Sequence, residues 1–455
     1  MDIIAVIEPW TTHLLILSLS FSALLILCLP IRYTPPKDGK SRVAVLVLGD
    51  IGRSPRMQYH ALSIARKGGL VELIGYDETP ARSELLENPS IKIRALKAPP
   101  KYLDTSTAIK FLFFAPFKAA YQLFQLLNML LYEIPPTTNY LLLQNPPAIP
   151  TLVVAMIVSI LRGQKVVIDW HNFGYSMLKM KLREHPIVYA AKLYEMIFCR
   201  FAYANFTVTS TMQTYLRDSW RIGSPIHILY DRPPSHFQPL SADARAGFLR
   251  SHPDTSPMAE KLIAGKTKLI VSSTSWSADE DFGLFLDALL EYDRRASAEN
   301  FLRPSSVPDV LAVITGKGPE KEMYLQRIQD MEFQAVTIKT VWLEAADYPK
   351  MIACADVGVS LHTSTSGMDL PMKVVDLFGV GVPVVALKFK AIGELVKEGV
   401  NGTTFTKPEE LSAALVKLFD PRWKELEKLK AGAIKETESR WDENWDKVAA
   451  KVFGL

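Results

Sequence analysis

The chain has 455 residues, 48% hydrophobic and 22% charged, a globular composition long enough for two ordinary α/β domains. Its net charge of +4 is spread along the sequence with no basic stripe of interleaved aromatics, which argues against a nucleic-acid partner. Cys28, Cys199 and Cys354 are scattered without CxxC spacing, so neither a disulfide framework nor a zinc site is expected.

Residues 1–10 carry Asp2 and Glu8 but no Lys or Arg, and read as a short lumenal N-terminus. From Thr11 to Ile31 no Asp, Glu, Lys or Arg occurs. As a helix this stretch would be about 31 Å long, close to a hydrocarbon core. With no basic n-region before it and no A-x-A site after it, it reads as an uncleaved transmembrane anchor rather than a signal peptide. Arg32, Lys37, Lys40 and Arg42 follow, and the positive-inside tendency puts the remaining chain in the cytosol. The glycosylation sequons at Asn205 and Asn401 would then stay unused. Residues 32–41 form a polar linker.

A first domain is expected over 42–222. Val43–Leu48 is a continuous apolar run, as in a strand buried on both faces of a parallel sheet. It breaks at Gly49-Asp50-Ile51-Gly52-Arg53-Ser54-Pro55, a helical pattern follows to Arg66, and Leu70–Tyr76 is a second strand. Strand, turn, helix, strand is a βαβ unit opening a doubly wound sheet. Further strands fall at Ile91–Leu96, Tyr140–Gln144, Lys165–Trp170 and Phe206–Ser210. Thr107–Glu133 crowds phenylalanines and leucines around Lys110 and Lys118, as either a core helix or an interfacial helix dipping into a bilayer. The apolar run 151–161 is too short to span and reads as a core helix.

Residues 223–265, rich in proline and without a long apolar run, read as the connection between domains. A second alternation occupies 266–430, with strands at 268–273, 309–315, 335–341, 356–361 and 383–387 and helices near 279–292, 319–331, 346–354 and 371–379. Residues 431–455 form a helical tail. The fold class is α/β: two Rossmann-like doubly wound domains facing a cleft, preceded by a transmembrane helix. Ligands in such folds sit at the carboxyl ends of strands.

The most informative segment is Ser364–Gly379. Pro371 opens a helix behind a polar, Gly-containing loop, and such a helix N-terminus receives phosphate. Lys373 and Asp376, three apart, share one helix face. Lys373 would offset diphosphate charge, Asp376 would accept both ribose hydroxyls, and Asp369 would accept hydroxyls of the donor sugar. Ser366, Gly367, Met368 and Leu370 complete this donor loop. Ser273, Thr274 and Ser275 follow a strand and either bind phosphate or cap the next helix. Gly316, Lys317 and Gly318 form a turn whose glycines would let a nucleotide base approach the backbone. Asp279-Glu280-Asp281 has a superficial D-x-D look, but acidic residues belong in a first helical turn.

On the N-terminal side, Gly49 and Gly52 would bring backbone near a substrate, and Arg53 and Arg56 offer basic groups for a lipid diphosphate. His171, at the carboxyl end of a strand, has the chemistry of a general base, with Asp50 its competitor, and Asn172 beside it is expected to bind the acceptor.

These residues resemble nucleotide-sugar glycosyltransferases of the GT-B architecture. The GKGP turn, the carboxylate-bearing helix after GMDLP and the GVPVVA strand come in the expected order. The blocks VAVLVLGDIGRSPRMQYHA, LLLQNPPAIPTL, IDWHNFGYS, LYDRPP and SGMDLPMKVVDLFG further resemble family 33, the β-mannosyltransferases of the dolichol-linked oligosaccharide. The resemblance implies inverting transfer of mannose from GDP-mannose to N,N′-diacetylchitobiosyl-diphosphodolichol, forming a β-1,4 linkage on the cytosolic face of the endoplasmic-reticulum membrane. It implies a nucleotide site in the second domain and an acceptor site in the first. Related GT-B enzymes carry Glu where Asp376 stands; the shorter carboxylate should still reach ribose. No tightly bound cofactor is implied, with a divalent cation (Mg or Mn) as an optional aid, and a complex with other mannosyltransferases of the pathway is an expected partnership. The rival expectations are a later-acting α-mannosyltransferase on the same lipid and a non-catalytic membrane scaffold.

Overall fold

A computed structural model of the chain describes residues 3–27, 29–103, 105, 107–277, 280–302 and 307–455. Helix α1 (Ile3–Leu27) covers most of the expected anchor and starts before it. Its described side chains, at 10–11 and 13–23, are exposed. Among the described residues no helix is long and apolar enough to cross a membrane.

The first sheet contains β1 (Arg42–Asp50), β2 (Leu70–Tyr76), β3 (Ile91–Ala95), β4 (Tyr140–Asn145), β5 (Lys165–Trp170), β6 (Ala204–Thr207) and β7 (Ile226–Ile228), ordered β3-β2-β1-β4-β5-β6-β7. Val43 pairs in parallel with Val71 on one side and Tyr140 on the other. Val43 to Val47 are at most 1% exposed, because helices cover a parallel strand on both faces. The strand ends at Asp50 in a 3-10 turn, and Pro55 opens α2 (Pro55–Arg66). The chain steps one way from β1 to β3 and the other way from β4 onward. Right-handed crossovers therefore put α2 on one face of the sheet and α3 (Ala108–Asn128), α4 (Thr151–Arg162) and α5 (Pro186–Phe198) on the opposite face.

The second sheet contains β8 (Thr267–Ser273), β9 (Asp309–Thr315), β10 (Val336–Val341), β11 (Val357–Ser360), β12 (Val384–Leu387) and β13 (Gly402–Phe405), ordered β10-β9-β8-β11-β12-β13. Leu269 and Val271 of β8 face one hydrophobic cluster and Ile270 the other, the alternation of a strand covered twice. Strand order reverses between β8 and β11, a topological switch point whose carboxyl-end crevice is where ligands bind in such sheets.

Residues 223–265 are more than a connection. They hold β7, α6 (Ala242–Ser251) and a short helix Ala259–Ile263, whose Leu249, Ala259 and Leu262 enter the second sheet's core. Prolines between these short elements interrupt any periodic window long enough to reveal them. β13 was likewise not anticipated. The helix after β8, α7 (Phe282–Leu302), runs longer than its expected 279–292 and buries Phe282, Phe285 and Leu289.

The chain forms two compact units: residues up to Asp169 with Tyr189–Ala204 and Phe453–Leu455, and Trp170–Val188 with Asn205–Val452. The loop after β5 thus belongs to the second unit. The C-terminal residues return to the first, where the Ser41 hydroxyl donates to the Phe453 carbonyl at 2.7 Å. Both sequon asparagines are fully buried: Asn205 accepts from the Trp170 indole, and Asn401 donates to the Leu395 carbonyl.

Candidate active site

The site grows from helix α8 (Met372–Gly379), which starts directly behind Pro371. Val374, Val375, Leu377 and Phe378 bury its apolar side, which turns Lys373 and Asp376 toward the strand ends. The Tyr348 hydroxyl lies 3.4 Å from Asp376 Oδ2 and 3.2 Å from Ser273 Oγ. Burial raises the Asp376 carboxyl to about 7; Asp231 adds repulsion, and the Tyr348 hydrogen bond opposes only part of this.

Lys373 is ion-paired with Glu280, whose side chain is 2% exposed. The Thr274 hydroxyl and the Ser275 backbone N–H donate to the other Glu280 oxygen at 2.6 and 2.9 Å. Burial works to raise the Glu280 carboxyl, but Lys373 and these donors outweigh it and hold it below its ordinary value. Of the acidic stretch 279–281, Asp279 lies outside the described residues, and Glu280 orients a lysine. Among the described residues no group of three or more His, Cys, Asp or Glu side chains is placed to hold a metal ion.

Packing within the chain by itself requires Gly316 and Gly318. A Cβ on either would sit 1.7 Å from the backbone carbonyl oxygen of Thr274 or Ser275, so the two loops press backbone against backbone there. Beside them the Lys317 ammonium lies 3.8 Å over the Trp342 ring, an indole that is 55% exposed.

The Asp369 carboxylate is the meeting point of the second unit. Asn172 Nδ2 donates to it at 3.0 Å and to Thr365 Oγ1 at 3.1 Å. His362 Nε2 lies 3.2 Å from its other oxygen, and the Ser364 hydroxyl donates to the same oxygen as Asn172. The amide of Asn172 is fixed in turn by the Phe173 N–H and the Ser176 hydroxyl. Ser364 and Ser366 hydroxyls accept from the Met368 N–H, and Gly367 at φ +72° makes the reversal possible. Met368 and Leu370, expected to touch the donor, are each 8% exposed, and Leu370 joins the core beneath the second sheet. The Met368 carbonyl accepts from Thr209 Oγ1 at 2.6 Å.

In the first unit, Asp50 accepts from the N–H groups of Gly52, Glu78 and Thr79 and from the Thr79 hydroxyl at 2.6 Å. Burial pulls the Asp50 carboxyl upward, yet these four donors keep it below its ordinary value, which opposes proton uptake. A Cβ at Gly52 would meet Thr79 and Pro80 within 3 Å, whereas one at Gly49 would only touch Val47 at 3.7 Å. Arg53 is 78% exposed, with Nε 3.4 Å from Asp50. Arg56 is elsewhere: it is buried, forks onto Asp169 through two 2.8 Å contacts, and shares that carboxylate with His60 Nε2 at 3.0 Å. Its guanidinium is therefore not presented to a lipid diphosphate.

Sequence reasoning passed over His362, Tyr348 and the role of Glu280. His362 follows the end of β11, a strand-end position that could have marked it; nothing local marks Tyr348.

Two doubly wound parallel sheets, the second carrying a cationic helix start and paired carboxylates at its switch point, define a GT-B glycosyltransferase, and residues 290–420 match the family described as Glycosyl transferases group 1. The same fold occurs in the Anabaena HepE protein in complex with UDP-glucose (TM-score 0.61, 18% identity, 91% of this chain and 100% of that one). It also occurs in sucrose-phosphate synthase from Thermosynechococcus elongatus (TM-score 0.61, 14% identity, 91% and 97%). Those likenesses concern the fold alone. Identity is far higher with the chitobiosyldiphosphodolichol beta-mannosyltransferases of Arthroderma benhamiae (44%, covering 83% of this chain and 85% of the relative), Kluyveromyces lactis (37%, 98% and 97%) and Mus musculus (39%, 93% and 91%). The chain belongs to the chitobiosyldiphosphodolichol beta-mannosyltransferase family.

Proposed function

We propose that the chain transfers mannose from GDP-mannose to N,N′-diacetylchitobiosyl-diphosphodolichol with inversion, forming the β-1,4 linkage. The observation that carries this reading is the Asp369 cluster, where Asn172 from the loop after β5 and His362 from the loop after β11 converge on one carboxylate. Asp376 and Tyr348 take the ribose. Lys373, held by Glu280, and the first-turn amides of α8 meet the diphosphate. Asp369 orients the mannose through its hydroxyls.

The acceptor hydroxyl oxygen bonds to the anomeric carbon as the bond from that carbon to the diphosphate oxygen breaks. The electron pair of that bond leaves with GDP, and the hydroxyl proton passes to His171. The four donors on Asp50 favour His171 for this task. Lys373 and the helix amides stabilise the charge on the departing diphosphate, and a divalent ion arriving with the nucleotide would add to them. Arg53, exposed in the first unit, is offered to the acceptor's diphosphate. α1 serves as the anchor at the endoplasmic-reticulum membrane, with both units on the cytosolic side.

The test is detergent-purified full-length protein with GDP-mannose and a short-chain chitobiosyl-diphosphate lipid. The expected product is heavier by one hexose and is trimmed by β-mannosidase. A product trimmed only by α-mannosidase, or none from GDP-mannose, overturns the reading.

A further inference from the structure

Helix α3 presents an apolar face to solvent. Its inner side buries Gln122 and Leu126 and continues into the buried Met129–Leu131. Its outer side carries Ile109 (83% exposed), Leu112 (41%), Phe113 (66%), Phe117 (60%) and Phe124 (76%). The exposed Pro116 and Ala120 fill the gaps, so the steps of three and four make one continuous stripe. A surface helix over an aqueous boundary carries polar residues there. Helix α5, on the same face of the sheet, repeats the pattern with exposed Tyr189, Leu193 and Ile197 at four-residue steps. α4 ties the layer together, since the Tyr194 hydroxyl of α5 accepts from the Val153 N–H of α4 at 3.0 Å.

Within 108–128, 151–162 and 186–201 the charges toward solvent have one sign, and the exposed Glu133 lies beyond them at the far end of the turn that continues α3. Lys110 and Arg200 are exposed and Lys192 half-buried, while Glu195, the acidic residue among 108–128, 151–162 and 186–201, is 1% exposed. A protein partner's interface depletes lysine at its core and surrounds that core with a rim of hydrogen-bonding groups of both kinds. Broad aromatic and aliphatic contact fringed by cations fits acyl chains beneath anionic headgroups.

We propose that the outer face of α3 and α5 rests on an anionic lipid bilayer and seats the first unit against the membrane that carries its acceptor. This rests on the reading above that the acceptor is a lipid, and adds which surface meets that lipid's membrane. Docking would hold the unit at headgroup level, so that a diphosphate at the bilayer surface need not be lifted far into water.

The test uses the full chain, Cys28→Ser, reconstituted in phosphatidylcholine vesicles with and without phosphatidylserine. An environment-sensitive fluorophore is placed at Phe117→Cys or, as a control on the other sheet face, at the exposed Lys67→Cys. Brominated lipid should quench the probe at 117, more so with phosphatidylserine, and leave the probe at 67 bright. Equal brightness at both positions overturns the proposal, whether water or a second protein covers the face. In addition, Phe113→Asp with Phe117→Asp should raise KM for a vesicle-embedded long-chain acceptor about tenfold and leave turnover of a short-chain acceptor in detergent unchanged. Unchanged KM in vesicles also overturns it. If wild-type protein turns over neither acceptor, the functional reading fails while quenching still decides the docking.

Discussion

The ion pair of Arg56 with Asp169 in the first unit and that of Lys373 with Glu280 in the second use the same pair of charges, with different surroundings. Arg56 and Asp169 are 5% and 0% exposed in their side chains, and His60 closes the remaining side of the carboxylate. A guanidinium forked onto a buried carboxylate has its partner settled by geometry, and exchanging that partner would strand a charge in the interior. Lys373 is 18% exposed, a compact ammonium with three donors at the start of a helix. It keeps Glu280 behind it while its remaining donors stay within reach of a ligand. Accessibility, and not residue type, separates the cluster that holds a unit together from the one proposed to meet a nucleotide.

The largest effect expected from this contrast is on folding. Asp169→Ala should cost about 3–5 kcal/mol by leaving Arg56 buried without its partner, read from the denaturant midpoint. GDP affinity of the folded fraction should not move; lost affinity at unchanged stability would place this cluster in the site. Asp369→Ala should do the reverse. It should lower kcat roughly 10²–10³-fold with little change in Tm. His171→Ala should cost roughly 10²-fold or more in the same assay, and a wild-type rate would return the role of base to Asp50.

A smaller effect sharpens the picture of Asp376. Its carboxyl near 7 should ionise to accept ribose hydroxyls, so GDP should bind more tightly as pH rises through that value. The gain should be at most about tenfold per pH unit on the acid side, and Asp376→Asn should flatten it. Stability of the ligand-free protein runs the opposite way. A carboxyl raised from 3.8 to about 7 holds its proton longer folded than unfolded, so this residue's contribution declines as pH climbs through that window. The smallest change is expected of Tyr348→Phe, which removes the hydroxyl between Ser273 and Asp376 and should weaken GDP binding about 3–10-fold.

Much of the fold was legible because its signals are local. Val43–Leu48 is an unbroken apolar run, Leu70–Tyr76 is apolar but for Glu72 and Gly75, and 309–315 has an apolar centre at Val310–Ile314; each lies within a strand of the structure. The helix after Pro371 was legible for the same reason, in proline placement and a short amphipathic repeat. Residues 223–265 were not, because their elements are too short for a period to emerge between prolines. In the site, Asp369, Lys373 and Asp376 could be picked out because they flank one helix start. Arg56 misled, since its position beside Arg53 in the chain says nothing of which way the helix turns it. His362, Glu280 and Tyr348 come from three separate segments, Tyr348 from the start of a short helix, and only folding brings them to the residues they serve.

The order of strands and helices, the glycine-bearing turns and the helix that starts behind Pro371 were determined by residues a few positions apart, through backbone sterics and hydrophobic period. Which charged groups face a ligand was decided by the tertiary structure. Burial reverses the availability of a side chain, and burial is a sum over distant segments. Asn172 reaches Asp369 across 197 positions of chain, and Arg56 is occupied by Asp169 across 113. No window of sequence contains both members of either pair.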